Sequence, residues 1–565
     1  MPFRSHRLPL RVFCLVFVAC ACPSPSDAQQ GPRVWAADAL VKVQPSTAVP
    51  DRASDRVSVE TVRGEYENAQ AVVTAGSEDL TLTLSTEPMT GPDGPRPRLR
   101  AAFLGFVPVR KGTPNTPDTH LVAKPPADLP DPILSAASVT VPAGTNQPVW
   151  LIVQTPRTCA PGVYRSALTV AAGGSNLRVP VTVRVRDITL PPERTLQITN
   201  WFSMGNIAAY HGVTMWSESF WKVLDVYARF MADYRQNAAR TMLFDLITAS
   251  EDPQGRLTFD FTRFDRFVEM LEKAGLIGTI EGSHLAYRTD WKTHVLKGHR
   301  PVTTLPDGSQ KKWVYVEVDS PEQREFLAQF LPALVKHLQE KGWRDRYVQH
   351  LSDEPVAANA AAYNALAAMV REFAPGVKTI DATMCREVAG SVDIWVPQQS
   401  EIDRNMEFFE SRRKLGEQVW IYTCLNPKGR YLNRFIDYHL LSPRLIHWMN
   451  FKYGFEGYLH WGLNFQLGDA FKNVERGYPN PNNLPAGDSH IVYPGRYGPI
   501  PSIRFDAMRD GIEDYELLRL LAHSRGAGAR RICDSVVRSM TDYTLDPSEF
   551  RKARARLLDA LEKAH

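Results

Sequence analysis

The feature that most constrains this chain is a change of period near residue 190. Before it, apolar residues recur at every second position, as in Val57-Ser58-Val59-Glu60, Leu80-Thr81-Leu82-Thr83-Leu84 and Val181-Thr182-Val183-Arg184-Val185. That alternation marks strands with one buried face. Glycine and proline punctuate it at short intervals, in Gly91-Pro92-Asp93-Gly94-Pro95 and at Pro161-Gly162. No helical period of useful length occurs here, so residues 29–194 are predicted to form a β-sandwich. Leu190-Pro191-Pro192 makes a stiff exit, because a residue before proline is biased away from helix.

After Thr195 short apolar runs alternate with amphipathic helices, the mark of repeated βα units. Eight candidate strands lie at 196–202, 240–247, 276–282, 347–353, 377–383, 392–397, 418–424 and 457–461. One intervening helix offers Ser320 as N-cap, Pro321 in the first turn and Gln323 as a capping-box partner. Phe326, Leu327, Phe330, Leu331, Leu334, Val335 and Leu338 follow on its apolar face. Another places Phe264, Phe267, Val268 and Leu271 on one face and stops at Gly275. The fold class is therefore α/β: a (β/α)8 TIM barrel over residues 195–520, then a C-terminal helical segment at 521–565. A doubly wound sheet would want a phosphate-binding glycine turn after its first strand, and Phe202-Ser203-Met204-Gly205-Asn206 is not one. The longest insertion, residues 284–319, follows the third strand and carries Tyr287, Trp291, His294, His299 and Trp313. A loop of that length at a barrel's C-terminal face is expected to be functional.

Composition bounds the class. A chain of 565 residues with 44% hydrophobic and 23% charged residues is globular and long enough for two domains. The N-terminus reads as an export leader over residues 1–28. Arg4, Arg7 and Arg11 precede Val12-Phe13-Cys14-Leu15-Val16-Phe17-Val18-Ala19, and Ser26-Asp27-Ala28 offers a cleavage site before Gln29. The mature protein is expected in the periplasm or secreted. Phe17-Val18-Ala19-Cys20 weakly resembles a lipoprotein processing site, so a lipid anchor at Cys20 is the alternative to soluble export. No other stretch approaches the roughly 18 apolar residues of an integral membrane segment. The leader carries half of the net charge of +4, and no basic stripe points to a nucleic-acid partner. Cys159, Cys385, Cys424 and Cys533 lack metal spacing, and one disulfide or four buried thiols both remain open.

In a barrel, catalytic groups sit where strands end at the C-terminal face. The fourth predicted strand ends in His350-Leu351-Ser352-Asp353-Glu354-Pro355, where Pro355 is expected to stop the ladder and hold Glu354 extended. Neighbouring carboxylates raise one another's pKa, which favours one acid beside one anion, the division of labour that glycoside cleavage needs. Two surface acids opening a loop is the bland alternative. Residues i and i+1 point to different sides of a strand, so the pair is poorly placed to flank a glycosidic bond as nucleophile and acid. It suits attack by the substrate's own 2-acetamido oxygen, with Asp353 orienting the acetamido N–H and Glu354 protonating the leaving oxygen.

These residues, with others, carry a family resemblance. The sequence resembles glycoside hydrolase family 123 over nearly the whole exported chain. Gly64-Glu65-Tyr66-Glu67-Asn68-Ala69-Gln70 and Asp353-Glu354-Pro355 belong to it. So does a long C-terminal signature through Gly487-Asp488, Val492-Tyr493-Pro494-Gly495, Pro501-Ser502-Ile503-Arg504 and Met508-Arg509-Asp510-Gly511-Ile512-Glu513-Asp514-Tyr515. The resemblance implies a retaining β-N-acetylgalactosaminidase working by substrate assistance, with an Asp-Glu pair aligned on Asp353 and Glu354. The larger superfamily is broader than that activity, so a sugar lacking the acetamido group, or a non-catalytic glycan-binding role, remains an alternative.

Strand ends supply further candidates for a carbohydrate substrate. Trp201, Trp461 and Asn464 close the first and eighth strands, and a tryptophan there stacks on a pyranose or fills core. Tyr422 ends the seventh strand, where its hydroxyl could bond the acetamido carbonyl. Gln398 and Asn426 lie just past the sixth and seventh strands, and the signature residues Asp488 and Tyr493 follow the eighth. Arg504, Arg509, Asp510 and Asp514 read as a structural ion-pair network. His284, His294 and His299 share a loop at spacings that fit no usual ligand pattern, so neither a metal nor another cofactor is expected. No His-Glu-x-x-His, Gly-x-Ser-x-Gly or glycine-rich phosphate cradle occurs. Oligomeric state is not legible.

Overall fold

The computed structural model describes residues 31–564 apart from 277, 291, 312–315 and 478–482. The predicted leader with Cys20, and Trp291 and Trp313 of the insertion, lie outside the described residues. The N-terminal region is sheet-rich, as its alternation requires. One five-stranded sheet runs in the order Arg33–Ala37, Tyr66–Thr74, Asn146–Gln154, Arg98–Val109, Ala127–Ile133. The other runs Val57–Arg63, Ser175–Thr189, Gly162–Ala172, Leu80–Thr86, Ser138–Val141. Val57, Val59, Val181 and Val183 of the second sheet meet Ala71, Val73, Val149 and Leu151 of the first in one buried cluster. Period-two alternation delivers those residues to a single face.

Beyond Thr189 the chain becomes α/β. Its parallel strands are Gln197–Asn200, Ala238–Thr241, Thr279–Gly282, Tyr347–Gln349, Lys378–Asp381, Ile394–Trp395, Gln418–Val419 continued by Ile421–Thr423, and Gly457–His460. From the second to the seventh, neighbours in sequence pair in parallel. The eighth pairs with both the seventh and the first, Gln197 standing opposite Gly457. First and second are tied by Asn237, whose N–H donates to Ile198 O at 3.2 Å while its side-chain oxygen accepts from Ile198 N at 2.8 Å.

The strands are shorter than predicted, for a reason visible at the fourth. Past Gln349 the N–H groups of Leu351 and Ser352 leave the ladder and donate to the Asp381 carboxylate at 2.9 and 3.3 Å. The predicted strand 240–247 is instead Ala238–Thr241 followed by a helical turn at Leu243–Leu246, with Ser283 Oγ accepting from Leu243 N. A short apolar run fits either conformation.

Helix Thr262–Lys273 buries Phe264, Phe267, Val268 and Leu271, and Gly275 takes φ +74° just beyond it. Helix Pro321–Glu340 is capped by Ser320, but only half of the predicted capping box forms. The Gln323 side chain turns to Arg300 instead of the cap. The C-terminal helix spans Ile503–Asp534, interrupted at Arg525, so the predicted boundary at 520/521 falls inside it. Leu517, Leu518 and Leu521 are all buried there, and packing does not change at that point. Helix Pro547–Glu562 ends the chain's secondary structure. Cys159, Cys385, Cys424 and Cys533 are free and buried. Among the described residues no helix is long and apolar enough to cross a membrane.

The two regions are joined by buried charge. Arg444, on helix Leu441–Tyr453, pairs with Glu67 of the first sheet at 3.0 Å, and with Asp514 at 2.8 Å and Asp510 at 3.4 Å on the long helix. Arg554 binds Glu65, Glu67 and Asp514, and Arg551 bridges Asp38 and Glu67. Asn68 Nδ2 donates to Asp510 at 2.8 Å, and Arg504 meets Asp131 at the same distance. Burial opposes the charge on Glu67, yet Arg444, Arg554 and Arg551 outweigh it and hold its carboxyl well below the usual range. Arg444→Met keeps the bulk of the side chain but leaves three acids short of a cation. It should cost about 3–5 kcal/mol of stability, read from urea unfolding. An unchanged midpoint would show that this network does not join the regions.

Candidate active site

Asp353 and Glu354 stand just beyond the fourth parallel strand, separated from Gln349 by His350, Leu351 and Ser352, the last of which is bridged to Ala286. Glu354 is not extended, as Pro355 was expected to make it. It takes φ +44°, the left-handed region, which costs a non-glycine residue on the order of 1–3 kcal/mol and persists only when its surroundings enforce it. The enforcement is visible. Glu354 N donates to Ala382 O of the neighbouring loop at 3.2 Å. Arg288 Nη1 donates to the carbonyls of both Asp353 and Glu354, and its Nη2 lies 3.3 Å from Glu354 Oε2. Tyr422 donates its hydroxyl to Glu354 Oε1 and accepts from Gln398 Nε2 at 2.9 Å. The two acids therefore sit in a backbone bend instead of a pleat.

Behind them lies a buried chain of acids and imidazoles. His350 reaches Asp381 Oδ1 with Nδ1 at 3.0 Å and Glu281 Oε2 with Nε2 at 3.2 Å. Burial opposes charge on His350, but the two carboxylates outweigh it and raise its pKa. Burial likewise opposes charge on Asp381, and His284 and His350 outweigh it to lower its pKa. Trp201 Nε1 donates to Glu281 at 3.1 Å. Asp353 is pushed up to about 6, by burial first and by Glu354 second, against Arg288 and Arg240. Its side chain is walled by protein yet 54% exposed, so water on the open side tempers that rise.

Of the residues predicted from strand ends, Gln398, Tyr422, Asp353 and Glu354 come together. Trp461 is half-buried beside Phe465 and packs against the apolar cluster that holds Trp201 and Tyr422. Asn426 is exposed in the loop after the seventh strand. Trp201 is not free to stack on a sugar, because the Arg240 guanidinium covers its ring at 4.4 Å and His284 and His350 meet it edge-on. Asn464 is buried and spends its side chain on Ser203, accepting from N at 2.7 Å and donating to O at 3.1 Å. Asp488 is fully buried 3.5 Å from His460, and burial pushes its carboxyl up to about 7. Tyr493 is fully buried and donates to Asp131 at 2.6 Å. These four back the site or the region interface and do not face a cleft. Arg504, Arg509, Asp510 and Asp514 are buried in ion pairs, as the network reading expected.

Sequence reasoning missed Arg240, Glu281, Arg288 and Asp381. Asp381 and Glu281 had a signal, an acid at the end of a predicted strand; Arg288 had none beyond membership of the long insertion. Among the described residues, His284, His350 and Asp381 form a group compact enough for a cation. Both His350 nitrogens are already taken by carboxylates. A carboxyl whose folded pKa exceeds its unfolded value of about 3.9 costs stability when ionised. That cost is full above the folded pKa and gone below the unfolded one. Asp353→Asn should therefore raise the thermal midpoint at pH 7, with the gain fading as pH falls through 6 and absent below about 4. A loss at pH 7, or a gain independent of pH, would contradict this electrostatic picture.

The same residues fall within matches to known proteins. The glycoside hydrolase 123 catalytic domain matches residues 201–521, and the glycoside hydrolase 123 N-terminal domain matches residues 42–172. The chain is similar to a family 123 glycoside hydrolase from Clostridium perfringens, analysed for the details of glycolipid glycan hydrolysis. Identity is 15%, coverage is 95% of this chain and 98% of that one, and the TM-score of 0.76 marks a shared fold. A termite-gut GH10 xylanase with a bacterial Ig-like domain reaches 11% identity over 82% of this chain and 100% of its own, at a TM-score of 0.33, too slight to carry weight. Curated protein sequences return no match. With more than half of its length matched by the family's catalytic domain, the chain belongs to glycoside hydrolase family 123 and is a glycosidase.

Proposed function

We propose that this glycosidase is a retaining β-N-acetylhexosaminidase, β-N-acetylgalactosaminidase-like, in which the substrate's acetamido oxygen attacks the anomeric carbon. One observation carries this reading. Of the four acids clustered here, Asp381 and Glu281 are sealed at 0% exposure, and only Asp353 at 54% and Glu354 at 18% reach solvent. The two are neighbours in one turn at a strand end, which favours both acting from one side of the sugar over flanking its bond as nucleophile and acid. Glu354 serves as general acid and then base. Asp353 orients the acetamido N–H and balances the charge that develops on the oxazolinium. Gln398, Tyr422, Asn426 and Trp461 line the approach. In the free enzyme Tyr422 is spent on Glu354, so any bond it makes to substrate comes by exchange.

A (β/α)8 barrel is part of the proposal, supported by parallel pairing in sequence order and by the pairing of the first strand with the last. The proposal also puts the division between sheets and barrel in the link from Thr189 to Gln197, and it includes export, supported by the arginine-led apolar run at the N-terminus. The likeness to an enzyme of glycolipid glycan hydrolysis makes a glycoconjugate glycan the substrate class to test first.

Purified protein should hydrolyse aryl N-acetylhexosaminides and leave simple aryl hexosides largely untouched. Glu354→Gln should slow turnover of a natural glycan by about 10²- to 10⁴-fold while unfolding like wild type. A thiazoline analogue of the sugar should inhibit competitively, and Asp353→Asn should weaken that inhibitor and slow turnover together. A covalent sugar trapped on any carboxylate, without thiazoline inhibition, would overturn the mechanism.

A further inference from the structure

His284 is used by nothing in the scheme above. It follows the third strand, its ring is 7% exposed, and its Nε2 lacks a hydrogen bond of ordinary length. Asp381 Oδ1 lies 3.5 Å from that nitrogen and Asp353 Oδ1 4.0 Å. On the other edge of the ring, Arg240 Nη2 stands 3.1 Å from Nδ1.

That last contact decides the tautomer. A guanidinium has donors only, so Nδ1 must accept, and a neutral ring then carries its proton on Nε2. Burial first, and Arg240 second, hold the ring neutral by lowering its pKa to about 3. A protonated nitrogen has no lone pair for a cation, which removes His284 from the three-residue group whose spacing suggested a metal. What remains is an N–H aimed between two carboxylates. Asp381 is already supplied by the N–H groups of Leu351 and Ser352, the Tyr363 hydroxyl and His350. The Asp353 carboxylate accepts no hydrogen bond from the described residues, and its Oδ1 lies 4.0 Å from the His284 Nε2, within reach of a small shift of either side chain. Catalytic hydrogen bonds are often long in a ligand-free site and tighten on binding.

We propose that His284 is a positioning residue for Asp353: its Nε2–H, fixed by Arg240, already stabilises the Asp353 carboxylate from 4.0 Å and closes to a hydrogen bond on Oδ1 when substrate binds, turning Oδ2 toward the sugar and keeping the carboxyl ionised. The contact is independent of the substrate-assisted reading; only the role of Oδ2 rests on it. The charged groups facing Asp353 are Glu354 in the same turn, Arg288 from the insertion, Arg240 from the second strand and Asp381 from the fifth, with His350 behind His284. His284 differs from all of these in being neutral. Replacing it tests a donor without changing the net charge.

His284→Phe removes the donor, and His284→Gln keeps an N–H at a similar reach. The first readout needs no substrate. The gain in thermal midpoint from Asp353→Asn at pH 7 should be larger in the His284→Phe background than in wild type, and close to wild type in His284→Gln. The second readout is turnover of an aryl glycoside. His284→Phe should move the acid limb of kcat/KM upward by about one pH unit and lower kcat by about 100-fold with little change in KM. His284→Gln should recover most of both. Equal impairment by both variants with an unmoved acid limb would overturn the proposal. So would one equivalent of zinc found in the purified enzyme by elemental analysis. If the stability coupling appears but the thiazoline fails to inhibit, the positioning stands and the substrate-assisted reading falls. Thiazoline inhibition without coupling sinks the positioning alone.

Discussion

Arg444 is fully buried with its guanidinium 4.9 Å from the centre of the Phe550 ring, a place where a lone charge would be strongly destabilising. Three acids from two regions close on it: Glu67 from the N-terminal sheets, and Asp510 and Asp514 from the long C-terminal helix. Taking such groups out of water costs several kcal/mol per ion, so the arrangement is tolerable only when every member is paired. Arg551 and Arg554 complete the pairing from the last helix. The consequence is an interface that sets register more than it adds stability. The sheets can dock on the α/β region in one way, because a shifted docking would leave buried ions uncompensated. An apolar cluster of Trp150, Ile152, Leu440, Ile503 and Ala507 fills the space beside the network, and Trp150 Nε1 donates to Asp506 at 2.8 Å.

Two stretches that carry the family resemblance, Glu65-Tyr66-Glu67-Asn68 and Arg504 through Asp514, meet in this interface and not at the cleft. Their role is to hold the scaffold. The chemistry is left to a much shorter segment, Asp353-Glu354, whose strained turn is held by a rigid frame on every side. Arg288 grips its carbonyls, Tyr422 grips the Glu354 carboxylate, and the His350–Asp381 pair anchors the backbone just before it. The same rule governs site and interface alike: a buried ion needs a partner. In the site the rule seals Glu281 and Asp381 into pairs with His350 and leaves two acids open to solvent.

The change of period near residue 190, the helix faces at Phe264 and Phe326, and the strand-end placement of Asp353 and Glu354 were all legible in the sequence. These are local properties. A strand's alternation and a helix's stripe are set by residues within one or two turns, and an acid at the end of an apolar run can be read without knowing what it touches. The sequence by itself thus determined where sheets give way to βα units and which acids emerge at the C-terminal edge. Tertiary structure alone decided the rest: that Glu354 is left-handed, that Asp488 and Tyr493 are buried, that Trp201 lies under a guanidinium. It also brought Arg288 to Glu354 across 66 residues of chain. Burial and hydrogen-bond partners depend on groups far apart in sequence, and no local pattern records which of them will share one desolvated space.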